Sequence, residues 1–165
     1  MTMNRKVDAQ HIYLAAPLFT KAEISFNHQI YEYLVAQGYK VFLPQKECET
    51  KQGRAIYQTC LLGLNWASVV VAILDGADAD SGTCWECGYA VASGIPVIAV
   101  RTDFRQSGDT RGFNAMLYYS ASSVIESNNN LFENIVVTIQ ALEATRTGSP
   151  LLAGTYGLST SMRSG

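Results

Sequence analysis

The segment from Leu74 to Ala90, LDGADADSGTCWECGYA, gathers Asp75, Asp78, Asp80 and Glu86. Carboxylates grouped this closely bind a cation, bind sugar hydroxyls, or attack an anomeric carbon. Ser81-Gly82-Thr83 is a helix-start signature, and Glu86 follows about one turn inside. Gly82 and Glu86 are four residues apart, so an early helix start puts them on one face. The glycine then leaves room for a ligand above the carboxylate. Taken alone, Glu86 also suits a solvated first-turn position favoured by the helix dipole. Its company of Asp75, Asp80, Gly82 and Gly88 favours a site instead.

Other chemistries fit the sequence less well. Asp78 and Asp80 resemble the start of a calcium loop, but the glycine and terminal glutamate such a loop needs are misplaced. Cys84 and Cys87 form a C-x-x-C at a helix start, where a thiolate is stabilised. A thioredoxin-like protein carries that motif after an early strand, however, and here it follows the third. Cys48 and Cys60 lack zinc-ribbon spacing. The cysteines read as unpaired thiols packed on helices. A Walker A loop is absent, and Ala-Ala-Pro-Leu-Phe after the first strand holds no glycine-rich dinucleotide turn. The expected chemistry calls for no metal and no cofactor.

The elements that must position these residues alternate. Strands are expected at His11 to Ala15, Lys40 to Leu43, Ala67 to Leu74, Pro96 to Val100 and, more weakly, Ser123 to Ile125. Helices are expected at Thr20 to Gln37, Ala55 to Trp66, Thr83 to Ser93, Phe113 to Tyr119 and Leu131 to Arg146. Gln45 to Gln52 and Arg101 to Gly112 read as polar loops. Ala67 to Leu74 is almost purely apolar, as suits a central parallel strand covered on both faces. Strand–helix alternation implies right-handed crossovers and a parallel sheet. The expected fold is a flavodoxin-like, doubly wound, three-layer α/β/α sandwich with strand order 2-1-3-4-5. Its switch point between strands one and three brings His11–Pro17 to face the carboxylate loop, where open α/β sheets bind ligands.

The 165 residues suffice for one domain, with residues 147–165, rich in Gly, Ser and Thr, as a tail that is flexible or docks on a partner subunit. The net charge of −2, with no Lys/Arg block beyond Arg5-Lys6, argues against nucleic acid. Apolar runs are strand-length, which indicates no membrane span. The N-terminus lacks the apolar core of a signal peptide, so the four cysteines are expected to be reduced thiols in the cytoplasm.

The run Asp80-Ser81-Gly82-Thr83-x-x-Glu86-x-Gly88-Tyr89-Ala90 resembles the signature of the nucleoside 2-deoxyribosyltransferases. Ile12-Tyr13-Leu14-Ala15-Ala16-Pro17-Leu18-Phe19 is similar to that family's first strand and loop, and Phe113-Asn114-Ala115-Met116 to its Asn-x-Met segment. The resemblance runs in order over roughly residues 10 to 140. It implies transfer of 2-deoxyribose between nucleobases, with deoxynucleosides and free bases as substrates. On it, Glu86 is the nucleophile, Tyr13 orients that carboxylate, and Asp80 holds a deoxyribose hydroxyl. Asn114 reaches into a neighbouring subunit's site toward the sugar's 5′ side, with Met116 helping to close it, so a homo-oligomer is implied.

One position departs from the pattern. Many members carry an aspartate in the helix before the third strand, where this chain has Cys60, a poor general acid. Asp75 is the candidate in its place to protonate the leaving base. Gln45 either reads the base edge with its amide or serves the loop alone. Leu18 and Phe19, with a subunit interface, are suited to excluding water. The chemistry is that of a retaining glycosidase with a base as leaving group: a carboxylate captures the anomeric carbon, and a second base displaces it. Rival readings are an N-glycosidic hydrolase of deoxynucleosides or their 5′-monophosphates, and a non-catalytic nucleoside sensor. A phosphate is poorly served, because Thr20 and Lys21 are the only donors near the first loop.

Overall fold

The computed structural model describes residues 10–105, 110, 112–126 and 129–147. The elements are β1 (His11–Ala15), α1 (Lys21–Ala36), β2 (Lys40–Phe42), α2 (Pro44–Glu47), α3 (Arg54–Trp66) and β3 (Val69–Ile73). They continue through α4 (Ser81–Ala92), β4 (Val97–Val100), α5 (Ala115–Ser120), β5 (Ser123–Ile125) and α6 (Leu131–Thr147). The five strands form one sheet in the order β2-β1-β3-β4-β5, with every pairing parallel. This is the doubly wound, flavodoxin-like sandwich expected from the sequence, with β1 and β3 adjacent at its switch point.

Strand alternation divides the core into two layers. Ile12, Leu14, Val69, Val71, Ile73, Ile98 and Val100 face one side, where Ile30 and Leu34 of α1 and Ile135 and Ile139 of α6 cover them. Tyr13, Ala15, Val70, Ala72, Val97 and Ala99 face the other, under Leu64 of α3 and Cys87 and Ala90 of α4. Three alanines on this second side keep the sheet surface low, which leaves depth for the Tyr13 ring beneath α4. All five β3 residues are buried, as its unbroken apolar run requires.

The ends of the expected elements fall within two residues of expectation, and the departures have local causes. Thr20 lies outside α1 as its N-cap in a full capping box: its hydroxyl accepts from Glu23 N (3.2 Å), and Glu23 Oε2 accepts from Thr20 N (2.8 Å). The same carboxylate accepts from Phe19 N, fixing the loop after β1. The polar loop expected at Gln45 to Gln52 contains a helical turn, α2, because Pro44 sits at its first position with φ already suited to a helix. Helix α4 starts two residues earlier than expected. Asp80, not Ser81 or Thr83, is its N-cap, with Oδ2 accepting from Thr83 N (2.8 Å) and Thr83 Oγ1 (3.1 Å). Among the described residues no helix is long and apolar enough to cross a membrane. The expected tail beyond Thr147, residues 148–165, lies outside the described residues.

Candidate active site

Glu86 is the sixth residue of α4, in its second turn rather than its first. It reaches toward the sheet, where the Tyr13 hydroxyl donates a 2.5 Å hydrogen bond to Oε1. Tyr13 is fully buried on β1, and its ring stacks on Phe42 of β2 at 5.1 Å between centroids. Gly63 on α3 permits this arrangement: a Cβ there would stand 2.7 Å from the Phe42 ring. A chain of close contacts from α3 through Phe42 thus fixes the tyrosine that holds the carboxylate.

Burial sets the electrostatics. Loss of solvent raises the Glu86 carboxyl to about 7, the Tyr13 bond pulls against that rise, and the Asp80 charge adds to it. Desolvation therefore outweighs the Tyr13 hydrogen bond that favours the anion. It also removes the reading of Glu86 as a solvated first-turn residue. The Tyr13 hydroxyl is raised far above its ordinary value, by burial first and then by the Glu86 charge, so it stays protonated and donates.

Glu86 opens on a cavity of about 830 Å³, with Tyr13 buried behind it. Asp80, Gly82, Thr83 and Glu86 form one side, and Ala16, Leu18 and Phe19 the loop after β1. Ile24 and His28 enter from α1, Leu43 to Lys46 with Cys48 and Glu49 from α2 and its flank, and Ile56 and Cys60 from α3. Gly82 and Glu86 share a helix face, and a Cβ on Gly82 would lie 3.1 Å from Asp80 Oδ2. Both described bonds of Asp80 fall on Oδ2. Phe19 is three-quarters exposed at the mouth, well placed to cover a ligand and not a core aromatic.

Asp75 is placed differently from expectation, whereas Asn114 and Met116, expected to serve a neighbouring subunit, lie outside this cavity. Asp75 does not line this cavity. Its carboxylate accepts from Thr102 N (2.6 Å), Thr102 Oγ1 (2.5 Å) and Asp103 N (3.0 Å), and it borders a separate hollow with Gly76 and Asp103. It ties the loop after β3 to the loop after β4. Arg101 reinforces that tie, donating to Leu74 O and Gly76 O. Asn114 and Met116 stand apart from the cavity as well: Asn114 caps α5, accepting from Met116 N (2.9 Å), and Met116 is 79% exposed.

Gln45 does line the cavity, yet its amide is committed on both atoms. Oε1 accepts from Asn27 Nδ2 (3.1 Å), and Nε2 donates to Ile24 O (3.0 Å), so it pins α2 to α1. His28, Lys46, Cys48 and Glu49 were not singled out for this cavity from the sequence. The spacing of Ile24 and His28, four apart on one helix face, is the signal that would have found His28. The helix start does not activate the C-x-x-C thiols. Burial raises Cys84 and takes Cys87, which sits in the core, up to about 12.

A buried tyrosine thus holds a carboxylate at the ligand-binding edge of a doubly wound sheet, beside an ample cavity. A family model described as nucleoside 2-deoxyribosyltransferase matches residues 12–136, and the chain belongs to that family. It is accordingly a nucleoside-modifying type of enzyme. A comparison with curated protein sequences finds no match. Among solved structures, the 2-deoxyribosyltransferase from Leishmania mexicana superposes with a TM-score of 0.64 at 20% identity, over 78% of this chain and 97% of that one. A 2-deoxyribosyltransferase from Bacillus psychrosaccharolyticus gives 0.62 at 23% identity, over 75% and 88%. The CMP N-glycosidase BcmB from Clostridium botulinum gives 0.59 at 15% identity, over 77% and 98%. At these identities the likeness is one of fold.

Proposed function

We propose that the protein exchanges the nucleobase of 2′-deoxyribonucleosides by double displacement through a deoxyribosyl-Glu86 intermediate, as a cytoplasmic enzyme of nucleoside salvage. The observation that carries this reading is Glu86 facing the large cavity while held from behind by buried Tyr13. The Glu86 carboxylate attacks the anomeric carbon as the bond to the base breaks, and an incoming base reverses the step from the same face. Without a 2′-hydroxyl the sugar accommodates positive charge readily, and the carboxylate opposite stabilises it. Tyr13 keeps Oε1 in place and steadies the charge that returns to the carboxylate when the second base attacks.

Asp80 binds a sugar hydroxyl through Oδ1, with Oδ2 held by Thr83, and Gly82 leaves space for the ring. Phe19 covers the base and keeps water from competing. Asn114 and Met116, outward on α5, serve the site of a neighbouring subunit in a homo-oligomer. Asp75 is not favoured as the acid, given its three hydrogen bonds elsewhere. The leaving base takes its proton at the rim formed by His28, Lys46 and Glu49.

A second reading, hydrolysis of a nucleotide's N-glycosidic bond, draws on Lys46 and His28, two basic residues in the cavity lining, and on the fold shared with a CMP N-glycosidase. One experiment separates them. Deoxyinosine is incubated with and without adenine, and the products are resolved by chromatography. Deoxyadenosine formed only with adenine supports exchange. Equal hypoxanthine in both tubes with no deoxyadenosine makes the protein a hydrolase.

A further inference from the structure

Two thiols that the reaction does not use share the cavity wall. Cys48 caps the C-terminus of α2 and Cys60 lies in α3, with their sulfurs 3.9 Å apart. A disulfide is about 2.05 Å long, so the sulfurs need approach by only about 1.9 Å. No core packing opposes that approach in the segment between the two helices: Thr50 to Arg54 are exposed, and Gly53 has a φ of +51°. The other two cysteines are arranged differently. Cys84 Sγ is turned to Ala79 O at 3.7 Å, and Cys87 is buried in the core.

We propose that Cys48 and Cys60 form a thiol–disulfide exchange site, oxidised by a small-molecule disulfide such as glutathione disulfide, whose closure shuts down the chemistry at Glu86. The effect on turnover rests on the function proposed above; the exchange itself does not. The Cys48 thiolate attacks one sulfur of the reagent, breaking its S–S bond and expelling one thiol. Cys60, losing its proton to solvent, attacks the Cys48 sulfur of the mixed disulfide and expels the second thiol. The two protein thiols are oxidised, and the reagent disulfide is reduced to two thiols. Burial pushes Cys60 up to about 11, which suits it to the resolving step.

The coupling to the site is short. Cys60 lies close enough to the Tyr13–Glu86 pair that the charges of the thiol, the hydroxyl and the carboxyl influence one another. Oxidation removes the ionisable Cys60 thiol from beside that pair. It also draws Cys48 toward α3, and with it the α2 wall carrying Pro44, Gln45 and Lys46. A displacement of about 1 Å at a reacting geometry is enough to cost roughly a hundredfold in rate. Disulfides that form in a reducing compartment are usually transient, and either catalytic or redox-sensing.

The test equilibrates the full chain in glutathione buffers from fully reduced to fully oxidised, traps free thiols by alkylation, and maps linked peptides by mass. Base exchange and nucleoside binding by calorimetry are measured on the same samples. The expected result is a linked Cys48–Cys60 peptide pair, lighter by about 2 Da for the two hydrogens lost. Activity in the oxidised sample falls at least tenfold against the reduced one and returns with dithiothreitol. In Cys48→Ser and in Cys60→Ser, the oxidised-to-reduced activity ratio stays near one. Absence of the linked pair at full oxidation overturns the proposal, as does a linked pair with unchanged activity ratio. If no sample turns over nucleosides, the proposed function fails on its own. The linked pair together with a tenfold loss of nucleoside affinity then still supports this proposal, and unchanged affinity overturns it.

Discussion

Replacing Glu86 by glutamine should make the folded protein more stable at neutral pH while ending base exchange. In the folded protein the carboxyl is raised from 4.5 to about 7, chiefly by burial. Between those values the folded state binds a proton that the unfolded chain has released, so the wild-type protein loses stability as pH rises through that window. The rise spans about 2.5 pH units at about 1.4 kcal/mol each, a loss of about 3 kcal/mol that is complete above pH 7. Glutamine is isosteric, can still accept from Tyr13, and does not titrate. The stability of Glu86→Gln relative to wild type should therefore climb by about 3 kcal/mol from pH 4.5 to 7 and stay flat above. For a chain of this size that is about 6–12 °C in melting temperature. Paired urea denaturation at five pH values from 4 to 8 measures it, and other titrations cancel in the difference. A gap that stays constant within about 0.5 kcal/mol across that range would refute the claim that a desolvated carboxylate sits beside the cavity. The same titration governs turnover. Wild-type activity should rise with pH to about 7 and then level, because only the ionised carboxylate attacks.

Tyr13→Phe removes the bond that opposes the upward drift of Glu86. A hydrogen bond to a charge is worth about 1.5–3 kcal/mol, so the acidic limb of the kcat/KM profile should move up by about one to two pH units. An unmoved limb would show that the tyrosine does not tune the nucleophile. Asp75→Asn should lower the melting temperature, since three donors lose a charged acceptor, yet leave exchange within about twofold. A hundredfold loss of exchange at retained folding would restore Asp75 as the acid. Gly82→Val crowds Asp80 Oδ2 and the space above Glu86, so kcat/KM for deoxyinosine should fall at least about tenfold with secondary structure unchanged by circular dichroism. Gly63→Ala drives a methyl into the Phe42 ring and should cost about 1–3 kcal/mol in chemical denaturation.

Much of this protein is written locally. The alternation of Ile12 and Leu14 against Tyr13 and Ala15 assigns each residue to a layer, and the apolar Val69–Ile73 run places β3 centrally. Asp80 with Thr83 starts α4, and the four-residue interval then puts Gly82 and Glu86 on one face. Periodicity and capping depend on neighbours a few residues away, so the sequence alone carries them. The sheet order follows as well, because strand–helix alternation leaves few parallel topologies.

The tertiary structure decided what depends on distance through space. Asp75 reads as a site carboxylate from its position after β3, but the Thr102 and Asp103 amides, 27 and 28 residues away, capture it. For Gln45 the sequence leaves open a base contact or a loop role alone, and its amide is bonded to α1 on both atoms. The approach of Cys48 to Cys60 is set by how α2 packs against α3, which no spacing rule encodes. The state of Glu86 is decided in the same way. Its place on the helix is local, but the desolvation that raises it to about 7 is supplied by β1, α3 and α4 closing around it, and solvent is excluded only when those separate segments meet.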